Sequence, residues 1–327
     1  MRSAWLSTTL ALAALLGGLN FALAQGDVPL IGDAMDAPSA ATPLERRCAD
    51  WTAEPAHGII GLVGYDAWKG ISDMGWQNNG IHAGFNYGTR LGALSDATGI
   101  GFQIGGTMGV FNWSGSDYRP SSLDQAQPQG FLTYGFFRKA SEDSPWIAAF
   151  AQDWMLNDNY GVFAQNPTLS QWRGQLGYAL DDRNDVGVWG AARLISDTRN
   201  VPGVGTVSWR PMNQLNFYSH HTWAFGADTW LWVGIPERGR FAGNGTLGDY
   251  MPGALANIPL NNRVGLYALV TYMHPSVRAG PRGFEEEAWN FTIGLSFYPR
   301  GNASSGSWLP QLPVANNGYF LVDTNGV

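Results

Sequence analysis

Cysteine is nearly absent from this sequence. Cys48 stands alone, which excludes a disulfide framework. It lies far from the N-terminal apolar run and lacks small residues before it ("LERRC", 44–48), so it does not read as a lipid-modified cysteine. Lysine is almost missing too, with only Lys69 and Lys139. Charged residues make up 14% of the chain, where a soluble domain has about 25%. The formal net charge of −7 and the lack of any basic stripe exclude nucleic acid as a partner. Beyond the N-terminal run no segment is a long unbroken apolar stretch, so no later helix spans a membrane. No segment keeps a helical period, which excludes a chain built of βαβ units. No Gly-x-Ser-x-Gly, HExxH or Walker pattern occurs.

What the chain does have is glycine, tryptophan and strict alternation. Its 327 residues include 43 Gly and 15 Trp. In "IHAGFNYGTRL" (81–91), Ile81, Ala83, Phe85, Tyr87, Thr89 and Leu91 alternate with His82, Gly84, Asn86, Gly88 and Arg90. Side chains on a strand point to opposite faces in turn. The segment therefore has one greasy face and one small, polar face. "GIGFQIGGTMGVF" (99–111), "WRGQLGYAL" (172–180), "RVGLYALVTY" (263–272) and "WNFTIGLSFY" (289–298) repeat the pattern. Further strands are expected at 58–65, 129–138, 145–154, 185–194, 213–221 and 223–234, with one more at 318–322. Several have the ~9–11 residues that a tilted membrane strand needs.

The N-terminus reads as an export signal. Arg2 precedes the apolar "LALAALLGG" (10–18), and "ALAQ" (22–25) offers a cleavage site after Ala24. Residues 25–57 are rich in Ala, Pro and Asp without a period, as in a disordered linker. The strands fill a domain over 58–299, and 300–327 form a C-terminal tail.

Connections alternate in length. "GALSDATG" (92–99), "KASEDS" (139–144) and "DDRN" (181–184) are short, whereas 112–128, 155–169, 195–212 and 235–261 are long. Membrane barrels join their strands this way, with short periplasmic turns and long outer loops. Trp146, Trp154, Trp289 and Tyr298 bracket strands, and Trp113, Trp172 and Trp223 lie near other strand ends, as in interface girdles. Trp189, Trp230 and Trp232 fit a girdle poorly.

These patterns predict an all-β fold: an antiparallel, up-and-down transmembrane β-barrel of about ten to twelve strands. The Ile81 face meets lipid, and His82, Asn86 and Arg90 line the lumen. Pairing Trp154 with Trp172 sets Asp153 opposite Arg173. Extending the count across 181–184 sets Arg173 opposite Arg193. Two arginines side by side need a carboxylate between them, so a lumen cluster of Asp153, Arg173 and Arg193 is expected. It would fill the barrel or form a charged constriction.

Catalytic and metal chemistry find little support. His220 and His221 point to opposite faces of a strand and cannot chelate one metal together. The acidic run "FEEEAW" (284–289) reads as a solvated turn, and the Asn-x-Ser/Thr matches at Asn244 and Asn302 carry no weight. No catalytic, cofactor or metal residue is expected.

At "GIHAGFNYGTRLG" (80–92), "QWRGQLGYAL" (171–180), "EEAWNFTIGLSFYP" (286–299) and "GYDAWKG" (64–70) the chain resembles a planctomycete family of exported β-barrel proteins, a domain family of unknown function. The resemblance covers roughly residues 58–300. It implies a fold and a location, with no activity and no cofactor. The expected role is passive, as a porin-like channel or structural envelope protein in the outer membrane. Its partners are then membrane lipid and, through an open lumen, small solutes. Two alternatives stay open: a barrel enzyme of protease or phospholipase type with its site in the long loops, and a secreted or periplasmic β-barrel that binds a ligand inside.

Overall fold

The computed structural model describes residues 57–70, 77–111, 126–141, 144–237, 248–274, 288–299 and 310–324. The expected signal peptide, the linker through Ala56, Cys48, Trp113, the acids at 285–287, Asn244 and Asn302 lie outside these residues.

The alternating segments form strands, in chain order β1 (His57–Lys69), β2 (Gln77–Arg90), β3 (Ile100–Phe111), β4 (Gln127–Arg138), β5 (Trp146–Asn157), β6 (Thr168–Ala179) and β7 (Asn184–Ile195). A hairpin of β8 (Asp197–Val201) and β9 (Gly205–Pro211) follows. Then come β10 (Gln214–Thr222), β11 (Asp228–Pro236), β12 (Met251–Pro259), β13 (Val264–Met273), β14 (Ala288–Phe297) and the short β15 (Val322–Thr324). A six-residue helix, α1 (Ala93–Thr98), fills the turn between β2 and β3.

Twelve of these strands close into one antiparallel barrel. Each wall strand pairs with its neighbour in the chain, β7 pairs with β10 across the hairpin, and β14 pairs with β1. Closure leaves no free edge in the wall, so every strand satisfies its backbone on both sides. The remaining strands make a separate sheet in the order β15-β9-β8.

The alternation becomes two surfaces of opposite character. Met108 is 77% exposed on the outside, Phe217 61%, Ile81 52% and Phe85 45%. Phe136, Phe150, Leu176, Leu231, Val233 and Leu295 are also exposed. Inside, Asn86, Gln103, Thr133, Asp153, Arg173, Asn290 and Thr292 are all buried. A water-soluble barrel has the reverse distribution. Aromatic pairs stand on the outer face, with Trp146 edge-on to Tyr178 at 5.3 Å and Phe150 stacked on Trp172 at 4.9 Å.

Three expectations need correction. Of the strand expected at 318–322, only Val322 belongs to a strand, β15, which runs on to Thr324. The expected long connection 235–261 contains a wall strand, β12, ladder-bonded to β11 and β13. Pro252 and Pro259 hide it in the sequence. Proline has no N–H for a ladder, but both sit next to strand ends, where little pairing is lost. The expected strand at 223–234 begins only at Asp228. Residues 223–227 are a tight turn in which the Trp223 N–H donates to Ala227 O and the Gly226 N–H to Trp223 O, with Gly226 at φ 85°.

Candidate functional site

The barrel interior is the candidate site, and the C-terminal segment occupies it. After β14 ends at the short-turn side, residues 310–324 run along the lumen to the long-loop side. The inner wall holds this segment largely by its backbone. Leu312 O accepts from Asn86 Nδ2 and Gln103 Nε2, both at 2.9 Å. The Leu312 N–H donates to Gln103 Oε1 at 3.1 Å. Arg173 Nη2 donates to Pro313 O at 2.7 Å, and the Ala315 N–H to Thr133 Oγ1 at 2.9 Å. Tyr319 O accepts from Gln171 Nε2 at 3.1 Å. Beyond it, β15 pairs with β9, and Asp323 meets Arg210 Nε at 2.8 Å.

Two buried carboxylates anchor this arrangement. Asp66 accepts from Asn290 Nδ2, Thr292 Oγ1 and, on the inserted segment, Asn317 Nδ2 at 3.1 Å. Asp153 accepts from Thr133 Oγ1 at 2.7 Å, Gln171 Nε2 at 3.1 Å and Arg173 Nη2 at 3.0 Å. The Arg173 guanidinium also lies over the Tyr319 ring, 4.9 Å from its centroid. Burial this deep is tolerated only when neighbours satisfy the carboxylate: Asp153 is paired with Arg173, and Asp66 is held by neutral amide and hydroxyl donors.

The long-loop end is stoppered by apolar side chains. Trp68, Phe111, Phe131, Met155 and Leu169 from the wall pack with Val207 and Trp209 of β9 and with Val314, Ala315, Phe320 and Val322. A second cluster places Leu321 among Met212, Met251, Met273 and Ala288. At the short-turn end the described residues leave the lumen open. There a cup of about 590 Å³ is lined by His82, Gln175, Trp189, Tyr218, Trp230, Tyr267 and Leu255, with Leu312 and Tyr319 of the inserted segment among its walls.

The sequence-predicted residues divide. His82 and Asn86 face the lumen: His82 Nε2 lies 2.6 Å from Tyr267 Oη, and Asn86 binds the inserted segment. Tyr267 reaches His82 because Gly64 and Gly294 leave a trough; a Cβ on either would stand 2.5–2.6 Å from its hydroxyl. Arg90, on the same face at the strand end, forms an ion pair with Asp96 of α1 at the rim.

The expected register is wrong by two residues. Trp154 pairs with Ser170 and Asp153 with Gln171. The 158–167 connection closes on itself through paired hydrogen bonds between Tyr160 and Gln165, so β6 starts at Thr168 and Trp172 packs on Phe150. Asp153 and Arg173 are therefore diagonal neighbours on the inner face rather than opposite partners, and they still meet. Arg193 does not join them. It pairs across the sheet with Gln171, beside a bulge, while Arg173 pairs with Ala191, and its guanidinium forms an ion pair with Glu237 and donates to Pro211 O at 2.8 Å. Gln171 supplies the donor that was expected of Arg193.

At the cup, His220 is engaged with its carboxylate neighbours. His220 Nδ1 lies 2.5 Å from Asp185 Oδ2, and its Nε2 lies 3.1 Å from Asp228 Oδ1. Its ring stacks on Trp230 at 3.9 Å. Both ring nitrogens face carboxylates, so neither faces a hydroxyl nucleophile as a triad requires. Among the described residues no group of three or more His, Cys, Asp or Glu side chains is arranged to hold a metal ion.

A closed, twelve-stranded antiparallel barrel with its own C-terminal segment inside is thus the class of protein this chain defines. The chain belongs to DUF6666, a family of unknown function whose model matches residues 61–322. No curated protein matches it. Among solved structures it is similar to an outer-membrane channel from Pseudomonas putida F1, with 9% identity over 76% of this chain and 98% of that one and a TM-score of 0.48. It is also similar to the NanC porin, with 9% identity over 73% and 98% and a TM-score of 0.45. An anion-selective porin from Comamonas acidovorans matches with 9% identity over 75% and 100% and a TM-score of 0.32.

Proposed function

We propose that this protein is a porin-like β-barrel of the outer membrane, whose lumen is closed in this structure. The observation that carries the reading is the inversion of its surfaces. A continuous wall without edges presents Ile81, Phe85, Met108, Phe136, Phe150 and Phe217 outward and keeps Asn, Gln, Thr, Asp and Arg inside. Lipid can solvate the first set and a hydrated lumen the second. The short turns then face the periplasm and the long connections the exterior. Export by residues 1–24 and the planctomycete kinship belong to the same reading and rest on the sequence. Membrane lipid is the surrounding partner, and small solutes are the cargo of an open state. A structural envelope role is the second reading, favoured by the filled lumen. The Asp153–Arg173 pair then serves to rigidify the filled barrel.

The test is fractionation of the expressed full chain followed by gel electrophoresis with and without boiling. The protein should enter the outer-membrane fraction and run at a different apparent mass until boiled. Recovery in the soluble fraction with no heat-dependent shift would overturn the membrane reading in favour of a soluble ligand-binding barrel.

A further inference from the structure

We propose that the inner wall is a binding site for an extended, amide-rich peptide, occupied here by the chain's own residues 310–324, and that the barrel conducts when the site is vacated. The proposal rests on the membrane reading above.

The wall reads this segment as a peptide site does. Asn86, Gln103, Thr133, Arg173, Gln171 and Gln214 all bond main-chain atoms, at Leu312, Pro313, Ala315 and Tyr319. The last residues add a strand to the edge of β9, the mode by which sheets capture extended chains. Shape is matched from both sides. A Cβ on wall residue Gly105 would stand 2.5 Å from Val314 Cγ2. A Cβ on Gly318 of the segment would stand 2.6 Å from Asn290 Oδ1 and 2.9 Å from Leu269 Cδ2. Glycine at both positions lets the segment lie against the wall.

The same geometry makes the site one that can empty. The wall ladder closes between β14 and β1 without the segment, so its departure breaks no bond of the barrel. The polar wall groups it leaves are amides, hydroxyls, the Asp66 carboxyl and an ion pair, which water can solvate; the apolar ones, Phe131, Met155 and Leu169 among them, lie at the long-loop end. Twelve strands lie between the eight that side chains alone can fill and the sixteen that enclose an open channel. The interior here carries Gly, Asn, Gln and Thr at many inward positions, and the segment supplies the bulk they lack. The apolar latch is Phe320, Leu321 and Val322.

Planar-bilayer conductance of the full chain tests this, using wild type, Gly318→Val and Asn317→Asp. The first substitution removes the seat against Asn290; the second faces a new carboxylate to Asp66. Each variant is first shown to be heat-modifiable and membrane-inserted. Both should be open at least tenfold more of the time than wild type. A synthetic peptide of residues 310–324 should suppress their current, and a scrambled peptide should not. Inserted variants that stay as closed as wild type, or currents indifferent to the peptide, overturn the proposal. Failure of wild type itself to insert overturns the membrane reading instead. A measurement on wild type covers variants that do not fold. Amide exchange at Leu312 and Ala315 should be at least tenfold faster than at the wall strands, because the segment opens separately. Exchange only at the rate of the whole barrel would refute a site that empties.

Discussion

At the scale of single residues, the decisive property is which face a side chain takes. Phe85 and Gly84 are neighbours in sequence, yet Phe85 points outward and Gly84 backs onto Thr107 of β3, with a would-be Cβ 2.5 Å from Thr107 Cγ2. Phe85→Arg places a charge against the hydrocarbon and should cost about 2–4 kcal/mol if the site lies near the bilayer midplane. Folding titrations into lipid vesicles measure this; a loss under 0.5 kcal/mol, the order expected of an ordinary surface change, would contradict lipid contact. Asp153 and Arg173 behave as a unit. Removing one partner leaves a buried charge, so Asp153→Leu or Arg173→Met alone should each cost roughly 3–5 kcal/mol. The double variant should cost clearly less than their sum, because it removes both charges. Denaturant unfolding of the four proteins in detergent gives the coupling, and strict additivity would mean that the pair is not coupled.

At the scale of elements, the added strand β15 is where pH should be felt. Burial pushes the Asp323 carboxyl up to about 6, with Arg210 beside it only partly offsetting this. A carboxyl raised in the folded state is protonated more easily there than in the free chain. Docking of β15 is then favoured at low pH and weakens as pH rises from about 4 through about 6, with no further change from this group above that. The whole effect is at most about 3 kcal/mol. Protease access to the C-terminus, followed from pH 4 to 7, should increase over this window in wild type and stay level in Asp323→Asn. A wild-type profile that falls as pH rises would reverse the sign. Element boundaries were the least legible part of the sequence. Alternation gave β2, β3, β13 and β14 because each has a lipid face and a lumen face. It missed β12, whose prolines and small residues carry no alternation signal. It placed β6 two residues out of register because a tryptophan pair is weaker evidence than the loop that sets the strand's start.

At the scale of the whole molecule, the alternation of connection lengths fixes a direction. Asp181 lies in the short turn between β6 and β7, and Asn200 lies on the β8–β9 hairpin at the other end; both are exposed. In a background of Cys48→Ser, a membrane-impermeant maleimide added to intact cells should label Asn200→Cys and leave Asp181→Cys unlabelled until the outer membrane is opened. The opposite pattern would invert the barrel, and the cup would then face outward.

The sequence by itself determined the class of fold and the sidedness of its wall. A period of two is a local property, and each strand must satisfy lipid on one face and polar neighbours on the other. What occupies the lumen was decided only by tertiary structure. Residues 310–324 carry two prolines and an Asn-Asn-Gly run, which read locally as tail with one short strand. Their contacts lie far away in the chain: Asp66 to Asn317, Asn86 to Leu312, Thr133 to Ala315. No local pattern encodes such pairs. The one hint was compositional, since inward faces so rich in glycine and short polar side chains leave a twelve-stranded barrel with space to fill. Which segment fills it is set by the closed wall, because only closure brings strands from both ends of the chain around one axis.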